Sequence, residues 1–223
     1  MTVQSGSHLQ RHESLREQAL VVIRKGLIAG EIKPGEIYSA AGLAATLGVS
    51  NSPVREAMLT LVQQGLMEPV RNRGYRVVPI SDKDLADIYQ VRVMLEVPAM
   101  GQLARTGKVA ARAGEFGALA DDIVRGARDE DLVLYIDADR QFHLGLLAML
   151  GNDHLTSIVE NLRDKTPQKG LGVLSQQGRL VKSAEEHRPI LDAVVAGDAG
   201  RAEELMRQHL SHIRGEWNKP EGD

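Results

Sequence analysis

The apolar positions of this chain follow a helical period at both ends of the sequence, interrupted by one short stretch that does not. From Glu13 to Ala29, Leu15, Ala19, Leu20, Val22, Ile23, Leu27 and Ile28 form the stripe of a first helix, ended near Gly30 with Pro34-Gly35 as the following turn. Ser39 is a good N-cap, and Leu43 and Leu47 then share one face of a short helix that Gly48 can stop. Ser52 is again an N-cap residue, with Pro53 at the first helical position. The helix it opens turns Val54, Ala57, Met58, Leu61 and Val62 inward and closes at Gly65, leaving Ser50, Asn51, Ser52 and Arg55 on the outer side of its first turn. Leu66 to Val78 breaks the helical period and predicts two short strands around Arg71-Asn72-Arg73-Gly74, with Gly74 supplying the turn and Pro69 suited only to an edge.

Beyond Ser81, which with Asp84 has the spacing of a capping box, every segment predicts helix: about 82–105, 108–128, 130–150, 153–165, 170–181, 183–196 and 198–216. The breaks fall at Gly107, Gly151-Asn152, Pro167, Gly170 and Gly197. Pro98 predicts a kink or an interruption, and Pro189 either distorts the 183–196 segment or marks its true start. The fold class that follows is mainly α: an N-terminal winged helix-turn-helix and a C-terminal all-helical antiparallel bundle of six or seven helices. The expected organisation is a flexible tail over 1–11, the winged domain over 12–79, a linker at 80–82, the helical domain over 83–217 and a tail over 218–223.

Composition narrows this picture. Hydrophobic residues make up 43% of the 223 positions, enough for substantial cores. Cysteine is absent, which removes disulfides and zinc ribbons and suits a reducing cytoplasm. No apolar run approaches the ~18 to 20 residues of a membrane span, so a soluble protein without a membrane partner is expected. The net charge of −3 argues against nucleic acid until its distribution is examined. Through Ile80 nine cations face six anions, and the remainder is acidic. A basic head on an acidic body suits a DNA reader carrying a separate sensing domain.

Within the head, the outer residues of the second helix of the pair sit where a recognition helix meets the major groove. The hairpin beside it carries Arg71, Arg73 and Arg76, placed as a wing places cations against phosphates or the minor groove; an ordinary hairpin with solvated arginines has the same pattern. The run LGVSNSPVREAMLTLVQQGLMEPVRNRGYRV, Leu47 to Val77, resembles the DNA-binding signature of GntR-type bacterial regulators. The resemblance implies DNA contacts from Ser50, Ser52, Arg55, Arg73 and Gly74, the glycine through its backbone. The chain departs from the family pattern at Asn51, where arginine is common, and at Ala41, and both departures remove a cation.

In the helical region Asp139 and His143 are four apart and share a helix face, with His187 in SAEEHRPIL and His209 in ELMRQHL far along the chain. One carboxylate and three imidazoles are a competent set for a first-row divalent ion, although surface histidines and a solvated aspartate give the same spacing. His212, three residues after His209, offers itself as a substitute ligand. Arg92 and Glu96, one turn apart, have the spacing of a surface ion pair. The segments VRVMLE, DADRQFH, LGN, SAEEH and ELMRQHL are similar to the ligand-binding (FCD-type) domain of the FadR-like branch of the same family. That resemblance implies a metal at Asp139, His143, His187 and His209 (zinc, nickel or manganese), a small carboxylate effector, and Arg92 facing the pocket as a carboxylate clamp. It also implies a homodimer on palindromic operator DNA, acting as a metabolite-controlled transcription regulator and repressor. The alternative from another class is a metal-dependent enzyme in which the Asp/His₃ site activates water.

Overall fold

The computed structural model describes residues 14–166 and 179–216, with side chains described to Ser211. It divides into two compact units, one formed by the segment ending at Arg24 together with Gly35–Val78, the other by Lys25–Pro34 and the chain from Pro79 onward. The architecture is that of a winged helix-turn-helix and an all-helical second domain.

The first unit contains the N-terminal part of α1 (Leu15–Ala29), then β1 (Ile37–Tyr38), α2 (Ala40–Leu47), α3 (Asn51–Gln63), β2 (Met67–Val70) and β3 (Gly74–Val77). The Ser39 side chain accepts from the Gly42 N–H and so caps α2, as its position predicts. α3 starts two residues earlier than expected: Ser50 is its N-cap residue, and Pro53 is third in the helix rather than first. Proline is tolerated there for the same reason, since the N–H groups of a first helical turn have no partner inside the helix. Val54, Ala57, Met58 and Leu61 are buried with Ala19, Ile23, Ala44, Leu66, Met67 and Val77.

The sheet has the order β1-β3-β2, all antiparallel, with Ile37 opposite Arg76, Tyr38 opposite Tyr75 and Met67 opposite Val77. Pro69 lies on the edge strand β2, where a missing N–H costs no ladder bond. The left-handed residue of the hairpin turn is Asn72, at φ 58°, while Gly74 opens β3 at φ 126°. A Cβ at Gly74 would collide with the Tyr38 carbonyl, so β1 can approach β3 only because this position is glycine. The two-residue strand β1 is an element the sequence pattern did not predict.

The second unit is built from α4 (Asp82–Thr106), a 3₁₀ turn (Lys108–Arg112), α5 (Ala113–Arg128), α6 (Leu132–Ala148), α7 (Asp153–Asp164), α8 (Arg179–Glu185), α9 (His187–Val195) and α10 (Ala199–Glu216). Ser81 and Asp84 close a reciprocal capping box at the start of α4. α4 runs through Pro98 without interruption; the residue is exposed, as is Met94, whose carbonyl is the one a proline at 98 leaves without its helical donor. The expected helix over 183–196 is two helices that meet at Glu186, with Pro189 third in the later one. Of the expected helix over 170–181, only the part from Arg179 lies within the described residues, and the breaks at Pro167 and Gly170 lie outside them. The core centres on Phe116 and Phe142, in edge-to-face contact at 6.3 Å, with Met100, Leu103, Ile123, Leu146, Leu147 and Leu180 fully buried around them. Among the described residues no helix is long and apolar enough to cross a membrane.

Candidate functional site

Inside the second unit, α6 sets Asp139 and His143 one turn apart on its inward face, α9 begins with His187, and α10 contributes His209. Their relative exposures are 7%, 1%, 0% and 6%, and one ligand atom from each lies within 4.8 Å of those of the others. The structure thus brings together four residues spread over some seventy positions. The His212 side chain lies outside the described residues, and His154 is exposed.

Hydrogen-bond partners assign the tautomers. His187 Nδ1 is 3.0 Å from the Ala184 carbonyl, which can only accept, so this nitrogen holds the proton and Nε2 turns a lone pair to the cluster. His209 Nδ1 likewise donates to Glu186 Oε2 at 2.9 Å. His143 Nδ1 is buried with no hydrogen-bond partner among the described residues and stands 3.7 Å from Glu96 Oε2, whose negative charge favours a proton on that side. His143 Nε2 then faces His187 Nε2 at 3.2 Å, and Asp139 Oδ1 is 3.2 Å from the same His187 atom. Lone pairs pointing at one another in a buried space repel, and a cation between them removes the conflict. By this test the residues fit a divalent transition metal.

The protonation states agree. Burial pushes the His143 imidazole well below its ordinary range and the nearby Arg163 guanidinium pushes it further. Burial also lowers His209, against the pull of Glu186. Burial alone would raise the Asp139 carboxyl, but the charge of the Arg163 guanidinium beside it outweighs that and holds it well below the usual carboxylate range. Neutral imidazoles beside an ionised carboxylate are the forms that coordinate a metal.

A pH dependence follows for metal-stripped protein. The folded state keeps His143 and His209 unprotonated where the unfolded chain takes up protons, so their contribution to stability is whole above ~6.5 and is lost as pH falls below it. Urea unfolding at intervals from pH 8 to pH 5 is expected to give a plateau, then a decline below that point. A stability that stays level down to pH 5 would contradict the assignment.

Arg163 on α7 donates through Nη2 to Asp139 Oδ2 and, at 3.5 Å, through Nη1 to Glu96 Oε2. Glu96 also accepts from Arg92 Nε at 2.6 Å. Arg92 and Glu96 therefore pair, but in the interior rather than on the surface, and Arg92 Nη2 has no partner among the described residues. Sequence reasoning missed Arg163 and Glu186. Arg163 follows the buried Val159 by four residues and so repeats its face of α7, a signal that a charged residue sits on the apolar stripe. Glu186 carried no comparable signal.

In the first unit Ser50, Asn51, Ser52 and Arg55 are all exposed at the start of α3, and Arg71 and Arg73 are exposed at the tip of the wing. Ser52 Oγ bonds Glu56 Oε1 at 3.3 Å. Arg76 pairs with Glu68 at 2.9 Å across the hairpin, so its charge is partly spent within the sheet. Gly74 is half-buried against β1.

Comparison with known proteins bears on both units. Residues 8–77 match the bacterial regulatory proteins of the gntR family, and residues 87–212 match the FCD domain. The chain is 31% identical over 200 residues to an HTH-type transcriptional regulator in an unstable DNA locus of Streptomyces ambofaciens, covering 89% of this chain and 83% of that protein. It is 30% identical over 200 residues to the HTH-type transcriptional repressor GlaR of Escherichia coli K12, covering 84% and 89%. Among solved structures, E. coli McbR/YncC superimposes with a TM-score of 0.80 at 23% identity, covering 93% of this chain and all of that one, which shows a shared fold. The two matched families and the Streptomyces ambofaciens and GlaR relatives are transcription regulators and not enzymes, so the enzyme alternative does not hold. The chain belongs to the GntR family of bacterial transcription regulators, and carries an FCD domain behind its winged helix-turn-helix.

Proposed function

We propose that this regulator binds palindromic operator DNA as a homodimer in the cytoplasm and acts as a repressor. A small carboxylate, held at a divalent transition metal in the second domain, controls that binding. The observation that carries the reading is the convergence of Asp139, His143, His187 and His209 in a buried space, with the imidazoles of His143 and His209 held unprotonated by burial. A bound metal supplies positive charge and coordination positions to which a carboxylate can attach. Asp139 and the three histidines hold it, Arg163 and Glu186 orient two of those ligands, and Arg92 offers a donor to the effector. The repressor assignment is supported by relatives described as repressors, GlaR and the gluconate operon repressor of Bacillus subtilis among them. The homodimer is supported by the exposed apolar side chains Val91 and Met94 on α4, and by the few base pairs that one recognition helix can read.

The test is operator binding by the metal-loaded protein, with a panel of small carboxylates added and then repeated after chelation. The proposal expects two chains per operator, a carboxylate that changes the affinity, and loss of that response with chelator. An operator affinity that no carboxylate shifts would overturn it.

For the DNA-facing side, Ser50, Asn51, Ser52, Arg55, Arg71, Arg73 and Gly74 are the proposed contacts, with Gly74 acting through its backbone. Arg55 is exposed at the start of α3, so Arg55→Ala is expected to weaken operator binding by roughly 1 to 3 kcal/mol with folding unchanged. Equal affinity for wild type and variant in a mobility-shift titration at matched salt would show that this helix does not enter the groove.

A further inference from the structure

The first two turns of α3 expose four polar side chains, Asn51, Ser52, Arg55 and Glu56. Two of them are engaged with each other, since Ser52 Oγ donates to Glu56 Oε1 at 3.3 Å. Asn51 is the first residue of the helix, directly after the cap position Ser50, and no described residue bonds its side chain. Arg55 stands one turn further on along the same flank, because residues four apart on a helix are neighbours. The head of α3 therefore offers an amide and a guanidinium side by side, and the two match different bases.

Hydrogen-bond chemistry decides what Asn51 can read. Its amide carries an acceptor oxygen next to a donor nitrogen. In the major groove adenine presents the acceptor N7 beside the N6 amino donor, so the amide satisfies both at once. Guanine presents two acceptors, N7 and O6, and would set the amide oxygen against O6; cytosine presents only a donor, and thymine only an acceptor beside its methyl group. Arg55 cannot make the adenine pair, because a guanidinium has no acceptor. The Ser52 hydroxyl, held by Glu56, carries no preference of its own between the bases. Among the exposed side chains at the head of α3, the set that matches adenine belongs to Asn51.

Building on the operator reading above, we propose that Asn51 specifies one adenine in each half-site of the operator, with its Oδ1 accepting from the N6 amino group and its Nδ2 donating to N7. Because the amide is uncharged, this contact discriminates between bases without adding to the general attraction for phosphates.

The test is selection of bound duplexes from a randomised DNA pool by the full-length protein, for wild type, Asn51→Ala and Asn51→Arg. Wild type is expected to enrich one adenine per half-site that Asn51→Ala leaves unspecified and Asn51→Arg exchanges for guanine, with the other positions unchanged. The selected duplex is then made with 7-deazaadenine, which lacks the N7 acceptor, at each half-site adenine in turn. At one of them the substitution should weaken wild-type binding roughly tenfold in a mobility-shift titration and leave Asn51→Ala unaffected. An Asn51→Ala protein that selects the same bases as wild type at every position overturns the proposal and leaves operator recognition standing. Wild-type affinity that no 7-deazaadenine substitution lowers overturns it as well, and that comparison needs no variant to fold. A pool from which wild type enriches no sequence overturns the operator reading itself.

Discussion

His187→Ala is expected to lose bound metal and the effector response together. His187 lies at the centre of the cluster: its Nε2 is 3.2 Å from both His143 Nε2 and Asp139 Oδ1, and its ring is in edge contact with those of His143 and His209. Its orientation is fixed by the bond from Nδ1 to the Ala184 carbonyl, within the turn that joins α8 to α9. Among the described residues, these four are the group of histidines and carboxylates placed closely enough to hold a metal together. Losing a partner behind a ligand typically costs about 10- to 100-fold in metal affinity, and losing the ligand itself should exceed that range. Arg92→Ala provides the contrast: Arg92 touches Glu96 and not the four ligands, so this variant should keep its metal and lose mainly the carboxylate. Elemental analysis and calorimetry on the two variants measure both quantities. A His187→Ala protein that retains the wild-type metal content would remove the cluster from the mechanism, as would wild-type protein that, purified without chelators, contains no metal and takes none up.

Much of this architecture is legible because local chemistry determines it. Ser39 before an apolar period and Ser81 with Asp84 three residues on each fix a helix start through hydrogen bonds that span a single turn. The spacing of Val54, Ala57, Met58 and Leu61 likewise fixes the buried face of α3. β1 was not legible, since two residues cannot show an alternation, and what makes Ile37–Tyr38 a strand is β3 pairing with it from across the unit. The start of α3 was misplaced for a related reason: both Ser50 and Ser52 are acceptable caps, and the choice between them depends on how the whole helix seats its apolar face. Splitting the 183–196 segment at Glu186 places His187 at the head of α9, where it can reach Asp139, a demand of the tertiary site and not of local propensity.

At the site, the sequence displayed the four side chains of the cluster but not their surroundings. The spacing of Asp139 and His143 announces a shared helix face, whereas nothing near Arg163 announces Asp139, twenty-four positions earlier. The same limit explains Arg92 and Glu96. Their spacing correctly indicates an ion pair, but whether that pair lies in water or in the core depends on α6 and α7 packing over α4. That difference in burial turns a minor surface contact into part of the pocket wall.

Arg163→Met is expected to cost about 3 to 5 kcal/mol of stability in the metal-stripped protein. Asp139 Oδ2 and Glu96 Oε2 both accept from this guanidinium, and the Asp139 carboxylate has no other arginine or lysine bonded to it among the described residues. Taking the cation away leaves an ionised carboxylate without its guanidinium partner in a buried space, a larger penalty than the loss of an exposed pair would carry. Methionine fills much of the volume of the arginine stem, so the change tests charge more than packing. With metal restored the loss should be smaller, because positive charge is again present at Asp139 and the repulsion between that charge and Arg163 is gone. The measurement is urea unfolding of wild type and variant, each with chelator and with zinc. A destabilisation that is equal in the two conditions would show that Arg163 and the metal do not share the Asp139 carboxylate, and would separate the arginine network from the metal centre.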